Sequence, residues 1–395
     1  MNSYNSSKCQ VPGRRVLVND TTLRDGNQSA YGTMYNREKI AIALQLEKIG
    51  VDIIEAGFAA SNGNSDVMRE IAQRVKRPYL SGLSRGKKED IYATYRALRN
   101  YDKRMIHIFI PTSEIQVKAK FNKAEKEILR VAVTSVKFAK KYFDCVEFTA
   151  EDTTRSDVDF LKKIYAEVID AGANVINIAD TVGCEDPWNF GCLVQEISNY
   201  IRSLNPITRI GVHCHNDRGL ALANTLAGIR SGADIVEATV NGLGERCGNC
   251  ALESLVANSI VENSFFTTGI NPKEIYKASK MVFEATKVRN DMAPIVGKTA
   301  FAHKSGIHQH GMSNDKKSYE IFDPETFGRK SEIIIGPHSG YHGMIAKAEE
   351  LGFNISERQA RKAIDVVSEM VKKEVMKRFS DKDLKTILQK VIAKN

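Results

Sequence analysis

Eight short apolar, β-branched runs recur along the chain at spacings of roughly 25–35 residues, each followed by a longer stretch of helical periodicity. The runs are Val16–Asn19, Ile53–Ala56, Tyr79–Gly82, Met105–Ile110, Cys145–Thr149, Val175–Ala179, Arg209–His213 and Ile235–Thr239. Between them, apolar residues return every three or four positions in Asn36–Ile49, Glu89–Asn100, Lys123–Tyr142, Asp157–Ala171, Trp188–Ser203 and Gly219–Ser231. Several of these stretches end in Gly just before the next strand (KIGVDII, DAGANVI, RSGADIV), as helix C-caps do. Eight βα units fit one closed (β/α)₈ TIM barrel, an α/β fold of about 250 residues. A doubly wound open sheet would carry a Gly-rich phosphate loop after its first strand, and TTLRDGNQ is not one.

A chain of 395 residues leaves room for a second module. We expect a flexible segment over 1–14, the barrel over 15–290, and a small, mainly helical C-terminal module over 291–395. The module opens on a Gly- and His-rich stretch, AFAHKSGIHQHGMSND, that lacks periodicity and reads as loop. Helices return after Ser356 and after Ser380 or Asp381, each placed to cap. The excess of positive charge is concentrated in the last forty residues, which carry +5 of the net +9 and where basic side chains alternate with acids as on a solvated helical face. No surface interleaves aromatic and basic residues, which argues against a nucleic-acid partner. No run of about 18 apolar residues exists and the N-terminus has no hydrophobic core, so neither a membrane span nor a secretory leader is expected. Seven scattered cysteines do not form a disulfide framework; a cytoplasmic location is expected.

Active sites of such barrels lie at the C-terminal strand ends. Those ends gather Asp20–Gln28, Glu55, Ser84–Arg85, His107, Thr112–Ser113, Glu147, Glu151–Asp152, Asp180–Thr181, His213–Asp217 and Asn241–Asn249. In His213-Cys214-His215 the two imidazoles alternate onto one side of a strand and can share one metal. Closure sets strand 1 beside strand 8 and near strand 7, bringing Asp25 within reach. Two His, one Asp and an amide oxygen such as that of Asn249 suit Mg²⁺, Mn²⁺ or Zn²⁺ with open positions. Cys247-Gly248-Asn249-Cys250 offers a CxxC, but without a second pair a thiolate zinc or redox site is disfavoured. Arg24 can clamp a carboxylate or developing alkoxide, or simply pair with an acid such as Glu151. His303 and His308 read from periodicity alone as surface residues.

Together the motifs closely resemble the DRE-TIM metallolyase superfamily, in its 2-isopropylmalate synthase and homocitrate synthase branch. They are NDTTLRDGNQS (19–29), GVDIIEAGF (50–58), VEFTAEDTTRSD (146–157), INIADTVG (176–183), VHCHNDRGLALAN (212–224), NGLGERCGNCALE (241–253), AFAHKSGIHQHG (300–311) and SYEIFDPETFG (318–328). The resemblance implies condensation of acetyl-CoA with a 2-oxo acid, 2-oxoisovalerate first, followed by thioester hydrolysis. It implies Asp25, His213, His215 and Asn249 as ligands of a divalent metal and Arg24 and Glu151 as catalytic. Thr181 matches a threonine that contacts the 2-oxo acid, and Gln28, Arg85 and His107 join it as candidate substrate-binding residues. His308 and Tyr319 match a catalytic pair supplied by a partner subunit, which implies a homodimer.

Three departures stand out. GFAASNGN follows strand 2 where the synthases have a GFPxSS-type continuation; the chain is too short for the leucine-sensing C-terminal domain; and IADTVGC and EDTTRSD lean toward homocitrate synthases while GERCGNCALE and GIHQHG lean toward isopropylmalate synthases. Homocitrate, citramalate or another 2-alkylmalate therefore remain alternative products. A lyase of the 3-hydroxy-3-methylglutaryl-CoA type shares the barrel and metal but carries its cysteine in a GLGGC-type loop, where this chain has GLGERC.

Overall fold

The computed structural model describes residues 13–61 and 63–393, so residues 1–12 of the segment expected to be flexible lie outside it. The chain divides into two compact units between Asn290 and Asp291. The first holds a closed barrel of eight parallel strands. They are β1 Leu17–Asp20, β2 Ile53–Phe58, β3 Tyr79–Arg85, β4 Arg104–Pro111, β5 Cys145–Glu151, β6 Val175–Asp180, β7 Arg209–Cys214 and β8 Ile235–Ala238. Each pairs with the next, and β1 closes the ring by pairing Leu17 with Ile235 through Asp20 with Ala238. Arg14 is paired rather than loose: it lies opposite Phe266 in a short parallel ladder, and its guanidinium reaches Asp234 at 2.6 Å.

The helices follow the amphipathic pattern. Asn36–Ile49 buries Ile40, Ile42, Ala43, Leu46 and Ile49, and Pro187–Leu204 starts where Asp186 accepts from the backbone N–H groups of Trp188 and Asn189. Each fully buried Leu, Ile or Val contributes about 1.5–3 kcal/mol. The glycines expected as caps, Gly50, Gly172 and Gly232, all have positive φ, at 96°, 109° and 112°. Helices Asn64–Arg74, Leu252–Val261 and Ile275–Thr286 have no counterpart in the periodicity above, and Lys123–Tyr142 shortens to Glu125–Ala139 behind a separate helix Glu114–Lys120. Asn64–Arg74 escapes notice because it buries only Val67, Met68, Ile71 and Ala72 and starts after Gly63 instead of a capping side chain.

Inside the barrel, side chains stack in layers. Ile53, Met105, Val175 and Ile235, from the even-numbered strands, form an apolar floor. Two residues further along, strand alternation makes the same strands present Glu55, His107, Asn177 and Glu237, none more than 3 % exposed. A layer that branched aliphatics usually fill is thus polar, and it supports the residues at the mouth.

The second unit has its own core, with Met344, Ala348, Ala360, Ala363, Val367, Leu384 and Leu388 buried between helices Tyr341–Glu350, Glu357–Lys372 and Asp381–Ala393. Ser356 forms a capping box with Gln359. The stretch expected to be loop instead contains helix Gly306–Asn314, after a short strand Ala302–His303 paired with Glu332–Ile333. Its anchor is tertiary: the buried Gln309 amide donates to the carbonyls of His303 and Ile334. Among the described residues no helix is long and apolar enough to cross a membrane.

Candidate active site

At the C-terminal end of the barrel, Arg24, Asp25, Gln28, Leu83, His107, Phe109, Thr149, Glu151, Ala179, Thr181, His213, His215, Glu237, Glu245 and Arg246 surround a cavity of about 240 Å³. A larger one, about 620 Å³, opens at the other end around the apolar floor. Its walls include Leu17, Ile53, Met105, Val175 and Ile235 with Glu47, Cys145 and the ion pair Arg15–Asp52, and no histidine among the described residues lines it, unlike the mouth.

His213 lies near the end of β7 and His215 follows the strand, their rings 4.7 Å apart and edge-on. Asp25 enters from the turn after β1. Its Oδ2 stands 3.7 Å from His213 Nε2 and 3.5 Å from His215 Nε2. Donors about 2.1 Å from one ion lie about 3.0–3.4 Å apart, so these three nearly enclose an ion-sized point. The loop after β8 folds back so that Asn249 bridges to His215. Asn249 Nδ2 donates to the Leu243 carbonyl, which leaves its Oδ1 buried without a hydrogen-bond partner. Glycine is required here: a Cβ on Gly244 would lie 2.2 Å from Asn249 Nδ2, and Gly248 has φ of +85° with its Cβ position 1.9 Å from the Gly242 carbonyl oxygen. His215 Nδ1 faces the Gly248 carbonyl at 3.2 Å, turning Nε2 inward. The donor set, two imidazoles, a carboxylate and an orphaned amide oxygen, fits a divalent ion.

Electrostatics agree with the geometry. Burial opposes ionisation of Asp25, but Arg24 and the two imidazoles outweigh it and hold the carboxyl well below its usual range. Burial above all lowers His215 to about 4, which favours the neutral ring a ligand needs, whereas at His213 the acids Glu237 and Asp25 outweigh burial and raise the imidazole, a charge that a bound cation would displace. Burial also disfavours charge on His107, yet Glu147 and Glu55 outweigh it and raise its pKa to about 9. His107 is then an imidazolium that donates to Glu55 Oε1 at 2.8 Å and to Thr149 Oγ1 at 2.5 Å.

Arg24 is not paired with Glu151. Its Nε donates to Glu55 Oε2 at 2.5 Å, and its other nitrogens reach Asp25 at 3.1 Å and Glu237 at 3.6 Å. Glu151 instead meets Lys120 at 2.7 Å. Thr181 Oγ1 accepts from the Asp152 backbone N–H, which leaves its own O–H to donate into the cavity. Arg85 is outside the cavity: at the last position of β3 its guanidinium swings away from the mouth, binds Asp90 at 2.5 Å and covers the Phe58 ring. The residue of β3 that lines the cavity is Leu83. His308 and Tyr319 lie in the second unit, their rings stacked 4.0 Å apart. His303 is partly buried there, 3.1 Å from Glu320. Ala59–Asn64 includes Asn62, which lies outside the described residues.

Sequence reading passes over Glu237, Asn177, Leu83, Phe109 and Thr149. For Glu237 a signal exists: an acid in the middle of the apolar strand IVEA has no way to be buried without partners.

Comparison with known proteins fits this geometry. Residues 15–282 match the HMGL-like family model, and residues 295–375 match the homocitrate synthase post-HMGL domain-like model. The 2-isopropylmalate synthase of Dictyoglomus turgidum is 44% identical over 381 residues, 96% of this chain and 75% of that protein. The 2-isopropylmalate synthase 1 of Caldanaerobacter subterraneus subsp. tengcongensis is 42% identical, with 96% of each chain covered. Among solved structures, the hydroxymethylglutaryl-CoA lyase of Pseudomonas aeruginosa superposes with a TM-score of 0.60 at 20% identity, over 71% of this chain and 95% of that one.

Proposed function

The chain belongs to the HMGL-like family and, within it, to the 2-isopropylmalate synthases; from that premise we propose that it condenses acetyl-CoA with 2-oxoisovalerate and hydrolyses the thioester, giving 2-isopropylmalate and CoA. The observation that carries the choice of 2-oxo acid is the wall of the mouth. Leu83, Phe109 and Ala179 line it, while Arg85, a candidate substrate-binding residue, does not and is held by Asp90. A branched apolar tail suits such a wall; a second carboxylate there would have to compete for cations that already have acids, His107 with Glu55 and Arg246 with Asp217.

Asp25, His213, His215 and Asn249 would hold a divalent ion of the Mg²⁺, Mn²⁺ or Zn²⁺ group, which when bound supplies Lewis acidity toward the chelated 2-oxo acid. Arg24, which burial alone would disfavour as a cation but which its acids keep charged, holds the negative charge that develops on the ketone oxygen. Thr181 donates its hydroxyl proton to the 2-oxo acid, Gln28 lines the same wall, and Glu151 orients water or substrate. The proton leaving the acetyl methyl group goes to a positioned base, for which we assign the partner subunit's His308, stacked on the partner's Tyr319, in a homodimer. We place the enzyme in the cytoplasm; the thiols of Cys145, Cys184, Cys192, Cys214, Cys247 and Cys250 are all free, as a reducing compartment keeps them.

The test is product identification by mass spectrometry after incubation of the full chain with acetyl-CoA, a divalent metal and 2-oxoisovalerate, 2-oxoglutarate or pyruvate in parallel. The reading predicts 2-isopropylmalate as the main product. Release of CoA with none of the three would refute it.

A further inference from the structure

We infer that Glu237 is a positioning residue that sets which nitrogen of His213 is free to bind metal; the inference rests on the reading of His213 as a ligand. Glu237 lies in the middle of β8, 1 % exposed, one layer below the ligand cluster. Its Oε2 stands 2.8 Å from His213 Nδ1, and the same oxygen is 3.6 Å from Arg24 Nη2. Its Oε1 accepts from Asn177 Nδ2 at 2.5 Å. One oxygen is thus held by a bracing amide, and the other lies 2.8 Å from the imidazole nitrogen, near enough to pair with it but not aligned as a hydrogen bond.

The consequence is chemical. A carboxylate at this distance from Nδ1 can only accept, so it favours the His213 proton on Nδ1 and leaves Nε2, which faces Asp25, to offer its lone pair to a metal. Glu237 also draws the imidazole and Arg24 toward one oxygen. It thereby fixes the spacing between a metal ligand and the residue that meets the substrate's developing charge. Sequence motifs do not reveal this, because the contact runs between neighbouring strands at different heights.

Glu237→Gln tests the idea with almost no change in volume. Asn177 still donates, so the carbonyl of the new side chain turns to it and the amide NH₂ turns to His213. Nδ1 then has to accept and Nε2 takes the proton, which blocks coordination. The measurement is equilibrium binding to metal-free full-length protein, Mn²⁺ by electron paramagnetic resonance and Zn²⁺ by competition with a chromophoric chelator. The expected result is one site per wild-type chain and an affinity about 10–100-fold weaker in the variant, with unchanged circular dichroism. Affinities equal within about twofold would overturn the inference while leaving the metal site standing. Absence of binding by the wild-type chain would overturn the ligand assignment itself and this inference with it. If Glu237→Gln does not fold, Asn177→Ala removes the bracing amide and leaves the carboxylate. Several-fold weaker binding then supports the inference, and unchanged binding overturns it.

Discussion

Arg24 Nε lies 2.5 Å from Glu55 Oε2, so the guanidinium is braced from inside the barrel while its other nitrogens face Asp25 and Glu237. Removing it takes away both a charge clamp and the partner of a fully buried acid. Arg24→Ala should lower kcat by about 10²–10³-fold. The same variant should lose about 3–5 kcal/mol of stability, since Glu55 loses its guanidinium partner. Steady-state rates and urea unfolding measure the two effects separately; a variant with near wild-type kcat would refute the assignment.

The ligand cluster predicts a second behaviour. Dialysis against a chelator should abolish CoA release without unfolding the protein, and Mn²⁺, Mg²⁺ or Zn²⁺ should restore it. Asp25→Ala should show no recovery with any of them. Full activity of chelator-treated protein, verified metal-free by elemental analysis, would exclude the role given to Asp25, His213 and His215.

The apolar wall sets the size of the tail that fits. Leu83→Ala or Phe109→Ala should shift the ratio of kcat/KM toward 2-oxo acids one or two carbons longer by about 10–100-fold, the range that a methylene or two in a pocket commands. Unchanged ratios in both variants would place the tail elsewhere.

His107 gives a pH signature. Burial alone would lower its pKa, but Glu147 and Glu55 raise it from 6.5 to about 9 in the folded chain. A raised folded pKa means stability fully present below about 6.5 and lost as pH climbs through about 9. His107→Gln should therefore destabilise the metal-free protein by about 1–3 kcal/mol at about pH 6 and by clearly less at about pH 9.5. Urea midpoints at the two pH values check this, and a gap independent of pH would mean that His107 is neutral.

Cys247 is exposed in the loop that carries Asn249. In a synthase it has no acid–base duty, so Cys247→Ala should keep more than about half of the activity, within the range of surface substitutions. Near-total loss would revive the lyase reading.

The barrel itself is legible in the sequence because each strand is a compact apolar run and each long helix has a regular stripe with a terminal Gly. The metal cluster is legible for a related reason: His213 and His215 share one strand direction, and closure of the ring determines where Asp25 falls. Asn249 is available in the sequence as one possible amide ligand and is singled out by the resemblance, since its position depends on a loop folding back to bridge His215. Glu55 stands out as a strand-end acid and Glu237 as an acid within an apolar strand, but what they pair with is hidden because their partners are on other strands. Arg85 is misplaced by sequence reasoning because alternation alone would set it beside Leu83, two residues earlier, yet the end of β3 turns its guanidinium toward Asp90. Helix Gly306–Asn314 leaves no periodic trace, as its anchor is the hydrogen bonding of Gln309.

The most direct test of the account compares kcat/KM for 2-oxoisovalerate and 2-oxoglutarate at saturating acetyl-CoA and fixed divalent metal. A mouth walled by Leu83, Phe109 and Ala179, with Arg85 bound to Asp90, predicts a preference of at least about 10²-fold for the branched apolar acid, because a second carboxylate would find His107 and Arg246 already paired with Glu55 and Asp217. Equal values, or a preference for 2-oxoglutarate, would contradict it.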